Sequence, residues 1–283
     1  MAARYRISHT SRYEYDRNVV ASFNEARVTP LQTPWQMRLD SAIAIDPVSW
    51  SYRYTDYWGT DVRVFEANSA HRTLEVRATS LVEVDAGRRP VAAAALAWAD
   101  VRDATVADEF VEYLTQTDYT APPAELADLA ASIAADNPPP ASARAVCAAV
   151  HDALTYTAGV TQVHTKAAEA WAERRGVCQD YAHLAVGALR HVGIPARYVS
   201  GYLHPSEEPR IGQTAVGDSH AWVECWLGDW TPFDPTSLSD VAERHVMVGT
   251  GRDYGDVPPI KGIVAGPHET VGLSVAVEVT RLA

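Results

Sequence analysis

The sequence predicts an α+β fold, and three observations carry the prediction. Short β-like runs fill roughly the first 85 residues, a central stretch has helical periodicity, and β-like segments return toward the C-terminus. From Arg4 to Asp85 the runs "YRISHTSRYEY", "SAIAIDPVSWSYRYTDYWGTDVRVFEA" and "HRTLEVRATSLVEVD" are divided by Pro, Gly and Asp, the pattern of an antiparallel sheet or sandwich. Beyond the Ala-rich span Val91–Ala99, first Val106, Phe110 and Leu114 and then Leu126, Leu129, Ala130 and Ile133 recur at three- and four-residue steps. That is the period of one-sided helices. "NPPP" at 137–140 ends the second of these, and a further helix carries Val146, Val150 and Leu154. Another follows Thr165, a good N-cap residue, through Ala167, Ala170 and Trp171 toward Arg175, with Gly176 as its breaker. From Cys178 a last apolar stripe runs through Tyr181, Ala185, Ala188, Leu189 and Val192, with Gly193 at the C′ position and Pro195 just beyond. "ARYVSGYL", "HAWVECWL", "WTPFDPT" and "GLSVAVEVTRL" then read as strands, and the chain shows no internal repeat.

Composition narrows the setting. The chain has 283 residues, 47% hydrophobic and 21% charged, enough for one elaborate domain or two modest ones. Three cysteines, Cys147, Cys178 and Cys225, are an odd number without framework spacing, which argues for a reducing compartment rather than a disulfide scaffold. The start "MAARYRISHTSRYEY" lacks an apolar leader core, and no run approaches the roughly 20 apolar residues that cross a bilayer. The expectation is a soluble cytoplasmic protein without a membrane partner. A net charge of -12 supplies no basic field for phosphate backbone, so nucleic acid is not expected either.

One cysteine stands out by position. In "RGVCQDYAHLAVGALRHVGIPARYVSG" Cys178 falls in the first turn of a helix, where unsatisfied N–H groups and the positive end of the helix dipole favour a thiolate over a thiol. A nucleophile there needs a base to move protons and a partner to orient that base. His220, in "GDSHAWVECWLGDWTPFDPT", opens a β-like run 42 residues later, and Asp234 lies on the returning strand before Pro235. A turn centred near Leu227 would set the two opposite each other; a two-residue turn at Gly228-Asp229 would offset them by about three residues, roughly 10 Å. Cys147 and Cys225 read as structural, with Cys225, Val223 and Ala221 on the strand face opposite His220 and Trp222. His183 reads as a hydrogen-bonded core residue, and Asp180 suits a first helical turn in any case. No Cys or His pair has zinc-type spacing backed by a second pair, so no metal is expected.

The blocks "GVCQDYAHLAVGALRHVGIPARYVSGY", "DSHAWVE" and "FDPT", in this order, resemble the transglutaminase-like superfamily. "LTYTAGVTQVHTKAAEAW", "ERHVMVGTGRDYGDVPPIKG", "SHTSRYEY" and "DYWGTDVRVFEA" extend the likeness over nearly the whole chain, toward the bacterial subfamily with a β-rich N-terminal region. Thr60 and Ser237 stand where that pattern leads one to expect asparagine, and Cys225 where an aliphatic residue is commoner. The resemblance implies a papain-like core of helices plus antiparallel sheet with an N-terminal sandwich-like region. It divides the chain into a β-rich region at 1–88 and a catalytic domain at 89–283, with a core at about 141–240 and C-terminal strands to 283. It maps a Cys-His-Asp triad onto Cys178, His220 and Asp234, and implies no cofactor and no metal. The backbone N–H of Cys178 is the natural first oxyanion donor, and Tyr156, from its place upstream, is the candidate for the second.

These residues imply a thiol enzyme that cleaves amide or peptide bonds in a peptide or protein substrate through an acyl-enzyme. Transfer of the acyl group from glutamine to an amine is the alternative, and a non-catalytic binding protein on the same fold is the second. Hydrolysis is favoured because a cytoplasmic chain gains little from indiscriminate cross-linking and because members of this bacterial group resemble thiol proteases at least as much as transglutaminases. A lysine-binding surface would need acidic or aromatic residues beside the cysteine. Glu207 and Glu208 are the nearest acidic candidates in sequence, and a solvated loop explains both.

Overall fold

The structure is a computed structural model that describes residues 2–90, 92, 96–217, 219–266 and 269–283. The Ala-rich span and Asp218 of "DSHAWVE" lie wholly or partly outside these residues.

The N-terminal part is built of β1 (Ala3–Val19), β2 (Ala21–Ala26), β3 (Gln36–Asp46), β4 (Trp50–Thr55), β5 (Asp61–Ala67) and β6 (His71–Val84). The helical part follows: α1 (Trp98–Val101), α2 (Ala104–Glu109), α3 (Val111–Leu114), α4 (Ala124–Asp136) and α5 (Pro139–Ala153), then β7 (Thr155–Tyr156), α6 (Ala167–Glu173), β8 (Arg175–Gly176) and α7 (Cys178–His191). The remainder is β9 (Ala196–Leu203), β10 (Thr214–Gly217), β11 (His220–Trp226), β12 (Trp230–Phe233), β13 (His245–Gly251), β14 (Ile260–Ala265) and β15 (Thr270–Arg281). The α+β class is as the sequence predicts.

Three sheets organise these strands, in the orders β10-β15-β1-β6-β3, β14-β2-β5-β4 and β12-β11-β9-β13, and β7 and β8 form a small parallel pair. The C-terminal strands, grouped above with 89–283, hydrogen bond to strands of the first 85 residues: β15 pairs with β1 from Tyr5↔Arg281 to Tyr15↔Thr270, and β14 pairs with β2. The sheet carrying His220 is covered on both faces. On one, Tyr181, Ala185, Ala188 and Leu189 of α7 pack with Ala221, Val223 and Cys225. On the other, Tyr5, Ile7 and Val82 of the N-terminal part pack with Tyr202, Val246 and Val248, while Trp222 and Met247 pack against Leu31 and Trp35. Gln36 fastens the second contact, its amide accepting from Met247 N–H and donating to Met247 C=O, both at 2.8 Å. α7 itself packs between this sheet and α4, α5 and α6, so it meets protein on more than one side. Every residue of α7 from Asp180 to Arg190 is buried, so the one-sided stripe expected from the sequence understates it.

Several local expectations shift for identifiable reasons. Val106, Phe110 and Leu114 fall on two short helices rather than one, because Phe110 leaves α-helical geometry between α2 and α3. α4 ends at Asp136 and Pro139 opens α5, the proline sitting where its missing N–H is harmless. The N-cap of α6 is Lys166 rather than Thr165, whose hydroxyl accepts from Gln162 N–H instead. α6 ends at Glu173 with Arg174, not Gly176, in the left-handed region at φ 54°; two hydrogen bonds to Glu125 and the Trp171 ring at 4.1 Å hold its guanidinium. Gly176 is needed for closeness instead: a Cβ there would lie 2.7 Å from Asp180 Cβ and Oδ2. α7 closes as the sequence predicts, in a Schellman motif with Ile194 N–H on Leu189 C=O, Gly193 N–H on Arg190 C=O and Gly193 at φ +87°.

Candidate active site

Cys178 is the first residue of α7, and the helix end beneath it is built by Asp180. Asp180 Oδ2 accepts from Val177 N–H at 2.8 Å and from the Thr161 hydroxyl at 2.6 Å, which anchors the 157–165 loop to the turn carrying the cysteine. Burial pushes the Asp180 carboxyl upward, and these bonds pull it back. With Val177 N–H taken, helix geometry leaves the N–H groups of Cys178 and Gln179 without intrahelical partners. The Gln179 side chain is turned away, donating to Val163 C=O. Cys178 is partly exposed, whereas Cys147 and Cys225 are buried, and burial drives the Cys147 thiol up to about 12 and raises that of Cys225. All three are free.

His220 and Asp234 meet in a register that matches neither alternative weighed above. Trp226 pairs with Trp230 and Val223 with Phe233, so the turn is the three-residue Leu227-Gly228-Asp229 with Gly228 at φ +88°. Extending that register puts Asp234 two positions short of the point opposite His220. Side chains two apart share a strand face, so a diagonal contact is within reach. The imidazole Nε2–H of His220 donates to Asp234 Oδ2 at 2.9 Å; the carboxylate can only accept, which assigns the proton to that nitrogen. The Asp234 side chain is fully buried and that of His220 is 11% exposed. Burial works against a charged imidazole here, yet the hydrogen bond to Asp234 and the influence of Cys178 overcome it and hold the His220 pKa well above its ordinary value. Burial likewise opposes the Asp234 anion, and its bonds to His220 and His245 hold its carboxyl well below the usual range. The structure therefore pairs His220 directly with Asp234, and Cys178 acts on the same imidazole.

Tyr156 lies in β7, upstream of the cysteine. It pairs with Gly176 through the parallel β7–β8 bridge, its side chain is 56% exposed, and its ring centroid is 6.4 Å from that of Tyr181. His183 is fully buried, accepts Tyr254 N–H on Nε2 at 3.1 Å and is pushed by burial down to about 3, as a core histidine should be. Glu207 and Glu208 are exposed in a loop.

Three partners of Asp234 escaped the sequence. Ser237 donates its hydroxyl to Oδ2 at 2.9 Å, Thr236 donates its N–H to Oδ1 at 2.9 Å, and His245 Nε2 lies 3.4 Å from Oδ2. A histidine opening a β-like run, "HVMV" as in "HAWV", was the available signal for the last. The ligand atoms of His220, Asp234 and His245 lie within 4.8 Å of one another, the one such group among the described residues that could hold a metal ion. The short ring–carboxylate distances, with both Asp234 oxygens already accepting from Ser237 and Thr236, favour a proton-bearing network over a cation.

Comparison with known proteins agrees with this architecture. Residues 127–235 match the transglutaminase-like superfamily and residues 5–83 the bacterial transglutaminase-like N-terminal region. An uncharacterized Mycobacterium leprae protein is 41% identical over 280 residues, covering 99% of each chain. An uncharacterized Mycobacterium tuberculosis protein is 32% identical over 294 residues, covering 98% of this chain and 92% of its own. A protein-glutamine gamma-glutamyltransferase of Pseudomonas aeruginosa is 42% identical over 67 residues, 22% of this chain and 10% of that protein. Among solved structures, a candidate cysteine protease of Cytophaga hutchinsonii superposes with a TM-score of 0.76 at 23% identity, covering 100% of this chain and 92% of that one, and so shares the fold. With both regions matched and a full-length relative above 40% identity, the chain belongs to the transglutaminase-like superfamily and carries its bacterial N-terminal region.

Proposed function

We propose that the protein is a thiol hydrolase that cleaves amide or peptide bonds through Cys178, His220 and Asp234. The single observation that supports this most is the state of His220: its Nε2–H is spent on Asp234 at 2.9 Å and Cys178 acts on the same ring, which leaves Nδ1 to exchange a proton with the thiol. Cys178 Sγ attacks the carbonyl carbon, the carbonyl π pair moves to oxygen, and the N–H of Cys178 at the helix start faces that charge. His220 passes its proton to the departing nitrogen as the C–N bond breaks, giving a thioester and an amine. Water then attacks the thioester, yields its proton to His220, and releases a carboxylic acid and the thiol. Asp234 keeps its charge throughout, fixes the tautomer and stabilises the imidazolium. Tyr156 is the second oxyanion donor in this reading; Tyr156→Phe lowering kcat without changing KM supports it, and unchanged kcat removes it.

Transfer to an amine is the second reading, favoured by the gamma-glutamyltransferase relative. Water near 55 M loses to an amine only where a site holds that amine at high effective molarity. The deciding experiment is peptide library digestion followed by product analysis in heavy-oxygen water with a labelled lysine analogue at millimolar concentration. Heavy oxygen in most products supports hydrolysis; label in most products establishes transfer. We further propose a cytoplasmic location, supported by three free cysteines, and cell fractionation that recovers the protein outside the cytoplasm refutes it.

A further inference from the structure

His245 touches Asp234 but has no part in the proton path just described. Its side chain is 0% exposed, and it is held from several directions. Its N–H donates to Ala242 C=O at 3.2 Å, its C=O accepts from Arg89 Nη2 at 2.8 Å, and its ring meets the Trp222 ring edge-on at a centroid distance of 5.3 Å. Since a carboxylate can only accept, the ring hydrogen that serves Asp234 sits on Nε2. Nδ1 is then a bare acceptor, buried and without a hydrogen-bond partner among the described residues. Packing alone does not call for a histidine that leaves one nitrogen unsatisfied; a contact made by the other nitrogen does.

We propose that His245 is a positioning residue for the reaction assigned above, a second imidazole that tethers Asp234 Oδ2 so that the carboxylate keeps its line to His220 Nε2 while His220 gains and loses its proton. The inference rests on the Cys178–His220–Asp234 reading. Its physical basis is that the Asp234–His220 attraction weakens each time His220 becomes neutral, when a carboxylate held only by that attraction would drift. A donor whose own charge stays fixed prevents this. Burial holds His245 down to about 4, so it stays neutral through the working range. The ionisable groups that act on the pair are His220, Arg244 and Arg89 at His245, Cys178 at His220, and Cys147 at Asp234.

The test compares His245→Leu, which removes the donor, with His245→Gln, whose Nε2 reaches a comparable position. His220 is followed by ring-proton NMR titration, which needs no substrate, alongside kcat and KM on a peptide found in the library screen. For His245→Leu we expect kcat lower by about 10–100-fold with KM unchanged, the scale of a lost hydrogen bond to a charged group, and the His220 titration displaced to lower pH. His245→Gln should restore both. A His245→Leu protein with wild-type kcat and wild-type His220 titration overturns the inference, whatever its melting temperature. Should that variant fail to fold, His245→Asn, whose amide stops short of Asp234, replaces it under the same criteria. Cys178→Ala run in parallel separates the two levels: retained activity there refutes the triad reading, while the His220 titration still reports whether His245 holds the pair.

Discussion

Replacing Asp234 with asparagine changes one atom and should change the charge state of the whole site. Oδ2 takes hydrogens from His220 and Ser237 at 2.9 Å and faces His245 at 3.4 Å, while Oδ1, among the described residues, takes only Thr236 N–H. An asparagine will therefore turn its oxygen toward the crowded side and set its NH2 against Thr236 N–H. That leaves two donors facing each other in a buried place, a loss of about 1–3 kcal/mol. The electrostatic loss matters more for reactivity. Without the anion, the burial that opposes a charged His220 loses its strongest counterweight, and the imidazole should titrate roughly 1–3 units lower. A neutral ring then faces Cys178 at neutral pH. Turnover should fall by about 10²–10⁴-fold yet remain measurable, whereas His220→Ala should abolish it, because proton transfer is the larger contribution and orientation the smaller. The assays are NMR titration of His220 and initial rates on a validated peptide. A His220 that titrates in Asp234→Asn where it does in the wild type, or His220→Ala at wild-type rate, refutes the reasoning.

Other outcomes follow from the same structure. Iodoacetamide at neutral pH should label Cys178 well before Cys147 or Cys225, which are 3% and 0% exposed with thiols pushed upward by burial; peptide mapping that finds Cys225 first would contradict this. His9, His183 and His245 are buried neutral, lowered to about 4, 3 and 4, so the unfolded chain binds more protons below about pH 6.5 and stability falls on acidification. Each should remove about 2 kcal/mol by pH 5. His220 has the opposite sign: its contribution is full below about 6.5 and is lost as pH rises toward its raised pKa. Thermal melts should therefore show a lower Tm at pH 5 than at pH 6.5, and equal values would be incompatible with neutral buried rings. Gly176→Ala places a methyl group 2.7 Å from Asp180 Cβ and Oδ2, and should destabilise by about 1–3 kcal/mol while slowing Cys178 alkylation; an unchanged melt and rate would show that the turn below the cysteine yields freely.

The legible parts of this molecule are those fixed by local chemistry. Gly193 and Pro195 announce the end of α7 because a left-handed cap and a residue that cannot continue a helix leave marks in sequence, and Cys178 takes its place from the start of the same helix. What local chemistry does not fix is less visible. The three-residue turn at Leu227-Gly228-Asp229 and the two-residue turn call for the same residues, so the His220–Asp234 register stayed open. Arg174 occupies a conformation usually left to glycine because Glu125, 49 residues away, holds its guanidinium, a contact no local window contains. His245 is hidden for the same reason, since it reaches Asp234 only through the pairing of β13 with β9 and of β9 with β11.

The pairing of β1 with β15 sets a timetable for the chain as it is made. Tyr5 must wait for Arg281, a delay of tens of seconds at ordinary rates of synthesis. Until then one edge of β1 stays open, and the strand that backs Tyr202 and Val246 in the layer behind His220 has a neighbour only in β6. Loss of residues 270–281 would thus reopen a strand at the opposite end of the sequence. The exposed edge would offer a ready template for aggregation, so the nascent protein depends on being shielded longest at its oldest strand.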